Sequence, residues 1–496
     1  MDRTFRMDCN YNKKELHDKI YACFIGKNIG GTMGAPYESS REIHDIKGFT
    51  TQKGEPLPND DLDLQLVWLL ALEQNGARLD ANTLADYWLS FITPDWNEYG
   101  VCKGNLRAGI LPPLSGELGN EGWKNSNGAW IRSEIWACLC PGLPNVAMKY
   151  AYMDACVDHG IAEGTVAEMF TAAMESYAFV MNDTREIIET ALTCIPENSQ
   201  VAKSVRLVLR EYDAKTPWQE TREKIVEFNK DFGWFQAPGN VAFVILGLIY
   251  GEDDFKKSMI YAINCGDDTD CTGATVGAFM GIKNGIDGIP ADWREYIGDR
   301  LLTCSINGEI ICILPKNLKS LTERIMLQIP AVLSANCVVA EISDKPTCVD
   351  SQIAKSVQRD NDSWWGDEFS LKDIKERMAM GHYFFEISAG HSRGVVQYDT
   401  EPYIAPNGDF SFSILLINRR RNTDHIEFKV NLPVGFTADY RRDVHILQQN
   451  ENNSAYAVWK CTLHAGETVN AKNRISVEAI TESHAKPIVF PIVIFG

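Results

Sequence analysis

Residues 266–285 read GDDTDCTGATVGAFMGIKNG, and this stretch decides the fold. Three aspartates, Asp267, Asp268 and Asp270, stand directly before a run of small and apolar residues. Acids at the start and Asn284-Gly285 at the end mark the two termini of a helix. The run from Cys271 to Ile282 is rich in Gly and Ala, so another helix can approach it closely. A second stretch has the same form. Asn59-Asp60-Asp61-Leu62-Asp63 leads into an apolar run from Leu64 to Glu73, which ends in Asn75-Gly76. One Asp or Asn suffices to cap a helix, and that leaves the other acids unexplained. Carboxylates this dense repel unless something positive lies between them. Helix dipoles supply part of that charge, and a divalent cation would supply the rest. The two clusters are therefore expected to converge on one metal site. Its ligands would be oxygen, which suits Mg2+ or Mn2+ rather than zinc.

Outward from these stretches, residues from about 15 to 335 read as mostly helix. Lys19 to Gly30 is expected to be a small-residue helix ending in a glycine turn, Gly30-Gly31-Thr32-Met33-Gly34. Further helices are expected over Thr165–Val180, Ile187–Leu192, Trp218–Phe228, Val241–Tyr250 and Phe255–Ile263, with Pro196 and Pro217 as boundaries. The pattern changes after about residue 340. Ser343 to Asp373 is polar and irregular and holds Trp364-Trp365. Then come seven short strand-like runs: Tyr383–Ile387, Gly394–Tyr398, Phe410–Asn418, Ile426–Leu432, Ala455–Leu463, Ile475–Ala479 and Ile488–Phe495. The expectation is an all-α domain over 1–340, a linker over 341–380 and a small all-β sandwich over 381–496.

Composition narrows the function. The chain has 496 residues, 45% hydrophobic and 23% charged, which fits a globular protein of two or more domains. A formal charge of -19 argues against a nucleic-acid partner. The amino terminus lacks the apolar core of a signal peptide, and no apolar run is long enough to span a bilayer. Fourteen cysteines without C-x-x-C pairs suggest reduced thiols in the cytoplasm.

Four stretches carry a resemblance. They are Ile25-Gly26 through Gly30 with Met33-Gly34-Ala35-Pro36-Tyr37-Glu38; Asn59-Asp60-Asp61; Ser126-Asn127-Gly128-Ala129-Trp130-Ile131-Arg132; and Gly266 through Asp270. Together they resemble the opening helix and G-A-P-x-E turn, the first metal motif, the ligand loop and the second metal motif of the ADP-ribosylglycohydrolases. Asp158-His159 lies where that family has T-H before a helix. The resemblance spans roughly residues 15 to 335 and implies an all-helical, ADP-ribosylglycohydrolase-like catalytic domain. It implies Asp60, Asp61, Asp268 and Asp270 as ligands of a pair of divalent ions. Asn59 and Cys271 occupy positions where the family has Thr in the ligand set. Asn59 still offers an oxygen, whereas a thiol suits a hard cation poorly, so the second ion would draw on Thr269 or Thr272. By the same resemblance Glu38 matches the glutamate that approaches the metals and the scissile ribose, and Asp61 and Asp268 join it in catalysis. Ser126, Asn127 and Gly128 match the loop that holds ribose and phosphates, and His159 a ligand-contacting histidine. Trp130 replaces a small residue there, to stack on the ligand or to fill space. Arg132 is expected to pair with a buried acid.

The implied activity is hydrolysis of the glycosidic bond at C1 of an ADP-ribosyl group. Two other readings compete. A glycoside or nucleoside hydrolase on the same fold would use Trp130, with Trp364, Trp365 and Trp459 as a sugar-binding surface, although packing inside the sandwich or between domains explains those three as well. A pseudoenzyme would bind ADP-ribose without cutting it.

Overall fold

The computed structural model describes residues 7–336, 338–349, 371–389, 392–418, 423–446, 455–482 and 484–496, so Trp364 and Trp365 lie outside the described residues. Two helices, Lys13–Gly34 and Thr269–Asn284, form the spine of the helical part. They run antiparallel with glycines face to face. A Cβ on Gly26 would come 2.0 Å from the carbonyl oxygen of Gly277, and one on Gly34 2.2 Å from that of Thr269. Only hydrogen at these positions lets backbone meet backbone. The sequence expectation of a glycine turn at 30–34 does not hold, because these residues form the last turn of the first helix. Each glycine costs roughly 1 kcal/mol of helix propensity, and the close packing along Thr269–Asn284 offsets that cost. The arrangement also places the end of the first helix, just before Glu38, at the acidic N-terminus of the second.

Asp60–Asn75 starts with Asn59 as N-cap, its side chain accepting from the Asp61 amide at 2.9 Å. Every residue from Asp61 to Leu72 is buried, so this helix is enclosed on all sides. Ala237–Tyr250 is enclosed in the same way and begins with Pro238 in its first turn, where a missing N–H costs nothing. Trp218–Phe228 matches the sequence reading at both ends. Pro144–His159, Gln200–Asp213 and Leu318–Ala335 are helices the sequence reading did not delimit. No helix among the described residues is long and apolar enough to cross a membrane.

Strand β1 (Met7–Asn12) pairs in parallel with β2 (Val338–Ser343), which ties the start of the helical region to its end. The segment read as linker contains a helix, Leu371–Ala379. Beyond it come β3 (Phe384–Ala389), β4 (Ser392–Tyr398), β5 (Asp409–Asn418), β6 (Asp424–Asn431), β7 (Phe436–Tyr440), β8 (Asp443–Ile446), β9 (Ala455–Ala465), β10 (Lys472–Thr481) and β11 (Ile488–Phe495). They form two sheets, ordered β11-β10-β6-β8 and β3-β4-β5-β9-β7. The inward residues share one core, in which Trp459 of one sheet stacks on Phe428 of the other at 4.4 Å between ring centroids. Trp459 is therefore sandwich core and offers no sugar-binding face.

The sandwich is not a free appendage. Ile110, Leu114 and Leu118 of the helical domain belong to its apolar cluster. Phe385 bridges Pro113, and the Glu386 amide donates to the Pro112 carbonyl at 3.2 Å. Beside this seam Arg377 and Arg393 both hold the Glu386 carboxylate, at 3.0 and 2.6 Å. Burial alone would raise that carboxyl, but the two guanidiniums outweigh it and hold it down at about 2.

Candidate active site

The two acidic clusters meet. Asn59 donates from Nδ2 to Asp270 Oδ2 at 3.3 Å, and the Cys271 thiol donates to Asp61 Oδ1 at 3.3 Å. Two groups of candidate ligand atoms lie within 4.8 Å of one another: Asp61 with Asp270 and Cys271, and Glu38 with Asp268 and Asp270. Asp270 belongs to both. Asp60 joins from the first helical turn and accepts a hydrogen bond from the Tyr99 hydroxyl at 3.0 Å. The close approach depends on Gly31, where a Cβ would stand 2.8 Å from Asn59 Nδ2.

Not every acid of the clusters faces this point. Asp63 turns away, and its carboxylate accepts the amides of Cys304 and Ser305 at 2.7 and 2.6 Å. Asp267 has a left-handed backbone, with φ of 70°, and its carboxylate accepts from Asn240 Nδ2 at 2.8 Å and from the Phe235 amide. These two aspartates build the loops that carry the site.

Burial and the neighbouring Asp270 push the carboxyls of Asp268 and Asp60 upward. Asp61 is also pushed up by burial and by Asp270, although Lys27 at 3.7 Å opposes this. Glu38 sits at the exposed rim, where partial desolvation and then the charges of Asp270 and Asp60 push it up to about 7. Asp61 Oδ2 and Asp270 Oδ1 are buried and accept no hydrogen bond. Asp61 Oδ2 has the Lys27 ammonium at 3.7 Å, but Asp270 Oδ1 is costly to bury unless a cation meets it, so the residues present fit one or two divalent ions. Five oxygen-bearing side chains and a single thiol form a hard donor set.

Beside the clusters lies the ligand loop. Asn127 Nδ2 donates to Asp268 Oδ2 at 2.6 Å, joining the loop to the second acidic cluster. Trp130 donates from Nε1 to Asn127 Oδ1 at 3.0 Å and has no exposed surface. An indole enclosed in the core has no free face for a base or sugar, so its part here is to fix the orientation of Asn127. Ser126 Oγ and His159 Nε2 are 3.1 Å apart, and both residues are buried. The His159 Nδ1 atom lies 3.0 Å from Asp158 Oδ1. Arg132 is fully committed, with Nε on Asp154 at 2.9 Å and Nη1 and Nη2 on Asp158 at 3.0 and 2.8 Å. It is a pillar beneath the loop, as expected.

Three neighbours escaped the sequence reading. Glu98 stands against the loop so closely that a Cβ on Gly128 would meet its Oε1 at 2.1 Å. Tyr99 holds Asp60. Lys27, buried mid-helix, donates to Glu134 Oε1 at 2.7 Å while facing Asp61. A buried lysine in an otherwise small-residue helix was the available signal for the last. Glu98 and Tyr99 carry no local signal.

With this geometry established, the family follows. The sequence profile of the family described as ADP-ribosylglycohydrolase matches residues 12–327, and the chain belongs to that family. A solved structure named "ADP-ribosylglycohydrolase-related protein complex" is 20% identical, covers 64% of this chain and 99% of its own, and has a TM-score of 0.42. A FixG-related protein from Vibrio parahaemolyticus is 11% identical, covers 22% of this chain and 97% of its own, and has a TM-score of 0.19. At these scores neither likeness bears on function. No curated protein matches the chain.

Proposed function

We propose that the chain is a divalent-metal-dependent hydrolase that cleaves the glycosidic bond at C1 of an ADP-ribosyl group and releases ADP-ribose. The observation that carries this reading is the convergence of both acidic helix starts on Asp270, whose buried Oδ1 accepts no hydrogen bond. Asp60, Asp61, Asp268 and Asp270 would hold Mg2+ or Mn2+, as two ions, with Cys271 at the edge of the first group, while Asn59, expected as a ligand, instead caps the Asp61 amide and donates to Asp270. When bound, such ions neutralise the carboxylates, orient ribose hydroxyls and make water a better nucleophile.

The chain's own residues do the rest. Asn127, its amide held between Trp130 and Asp268, anchors the loop beside the ribose, and backbone N–H groups near Asn127 and Gly128 would hold the pyrophosphate. Glu98 fills the space that a side chain at 128 would need, so only glycine lets the loop pass beside it. As the bond from C1 to the leaving group breaks, positive charge builds on the ring, and the acidic cluster stabilises it. Glu38, at the rim, takes the proton of the water that bonds to C1 and returns it to the departing group, so the proton count closes. His159 steadies Ser126 at the back of the loop. The described cysteines are all free, which supports a reducing, cytoplasmic setting.

The test is turnover of ADP-ribosylated arginine, serine and small-molecule substrates in Mg2+ or Mn2+. Asp268→Ala is expected to abolish it and to weaken metal binding. Unchanged turnover and metal binding in that variant would defeat this mechanism. The glycoside or nucleoside reading loses the support of Trp130 and Trp459, because both are core residues.

A further inference from the structure

A second cluster of metal-ligating side chains lies on the sandwich, away from the carboxylates just described. His425 of β6 and His445 of β8 are direct partners across an antiparallel ladder. Their imidazoles stack at 4.6 Å between centroids. Asp443 precedes His445 by two residues, so both leave the same face of β8, while Val444 and Ile446 point into the core. His425 likewise leaves the outer face of β6, between the buried Asp424 and Ile426. Strand alternation thus puts two ring nitrogens and a carboxylate on one solvent-facing patch.

The distances suit an ion better than direct pairing. Asp443 Oδ2 lies 3.8 Å from His425 Nε2 and 3.9 Å from His445 Nε2, too long for hydrogen bonds. The three ligand atoms all lie within 4.8 Å of one another. Ligands about 2.0–2.2 Å from a tetrahedral zinc stand roughly 3.3–3.5 Å apart. Small rotations of these exposed side chains close the difference. Arg442, next to Asp443 in sequence, directs its Nε and Nη2 to Glu427 at 2.9 and 2.7 Å.

We propose that His425, Asp443 and His445 form a surface site for a borderline divalent transition ion such as Zn2+, Co2+ or Ni2+, with its remaining coordination position open to solvent. Two imidazoles and one carboxylate favour these ions over Mg2+, so the site and the carboxylate clusters select different metals. The geometry also gives the ion work to do. Strand β8 has four residues and is the edge of its sheet. Short edges fray, and an ion bridging β8 to β6 staples this one.

The test uses the full chain, stripped with EDTA, desalted and kept in a phosphine reductant. Co2+ is then titrated in saturating Mg2+, with bound metal and the visible spectrum both recorded. The expected result is one Co2+ per chain that Mg2+ does not displace and Zn2+ does, together with a rise in Tm on adding Zn2+. His425→Ala/His445→Ala should lose both effects, and Asp268→Asn should keep them. Equal Co2+ binding in the double histidine variant, or loss in Asp268→Asn alone, would overturn the proposal. Should the double variant fail to fold, His445→Gln at the exposed edge decides by the same readings.

Discussion

Gly30 and Gly273 touch backbone to backbone: a Cβ on Gly30 would sit 2.0 Å from the Gly273 carbonyl oxygen. That contact sets how far the turn bearing Glu38 stands from the helix start bearing Asp268 and Asp270. Gly30→Ala is therefore expected to cost stability, on the order of 1–3 kcal/mol as for other overpacked cores. It should weaken metal binding as well, because the helices must separate. Urea unfolding and metal titration of the same variant check both. A variant as stable as the parent, with unchanged metal binding, would show that the spacing is not set here.

The acidic site trades stability for function. Asp61 and Asp268 are buried among like charges, and their carboxyls are pushed up. Asp268→Asn should raise the Tm measured in EDTA and remove the further rise that Mg2+ gives the parent. Thermal melts with and without Mg2+ supply the comparison.

Trp130 acts on the ligand through Asn127. Trp130→Phe removes one hydrogen bond while retaining most of the ring's packing. A lost buried hydrogen bond costs about 0.5–1.5 kcal/mol of stability, so the Tm should fall modestly, and ADP-ribose affinity should weaken because Asn127 is no longer held in place. Calorimetric titration of the variant measures it.

The seam between domains should be acid-labile. Glu386 is held down at about 2 by Arg377 and Arg393 in the folded chain, below the ordinary carboxylate value. A group lowered on folding contributes stability above its unfolded pKa, and that contribution is lost as pH falls through the folded value. Stability should therefore decline between about pH 4 and pH 2. Glu386→Gln should be less stable at neutral pH and should lack this part of the acid dependence. Unfolding midpoints across that range distinguish the two.

Much of this was legible in the sequence, and for local reasons. Asn59 and the acids after it mark a helix start whatever surrounds them, and Asn284-Gly285 marks a stop. The Gly/Ala run of Thr269–Asn284 announced a close neighbour but did not say which helix. The glycines at 30–34 looked like a turn because propensity counts against them, and only contact with Gly273 and Thr269 overrides it. All seven expected strands appear, yet β7 and β8 were missed because each is very short. The pairing of β1 with β2 joins residues far apart in sequence and has no local mark. Within the site, the separate parts of Asp63 and Asp267 were unreadable, since a carboxylate bound to backbone amides has the same spelling as a metal ligand. Tyr99 and Glu98 reach the site only through folding.

The most direct measurement is calorimetric titration of ADP-ribose into the chain, once in Mg2+ and once in EDTA. The account predicts micromolar binding in Mg2+ that disappears in EDTA and in Asp268→Ala. Binding that is the same with and without the metal, or absent in both Mg2+ and Mn2+, would contradict a shared metal site for the ribose.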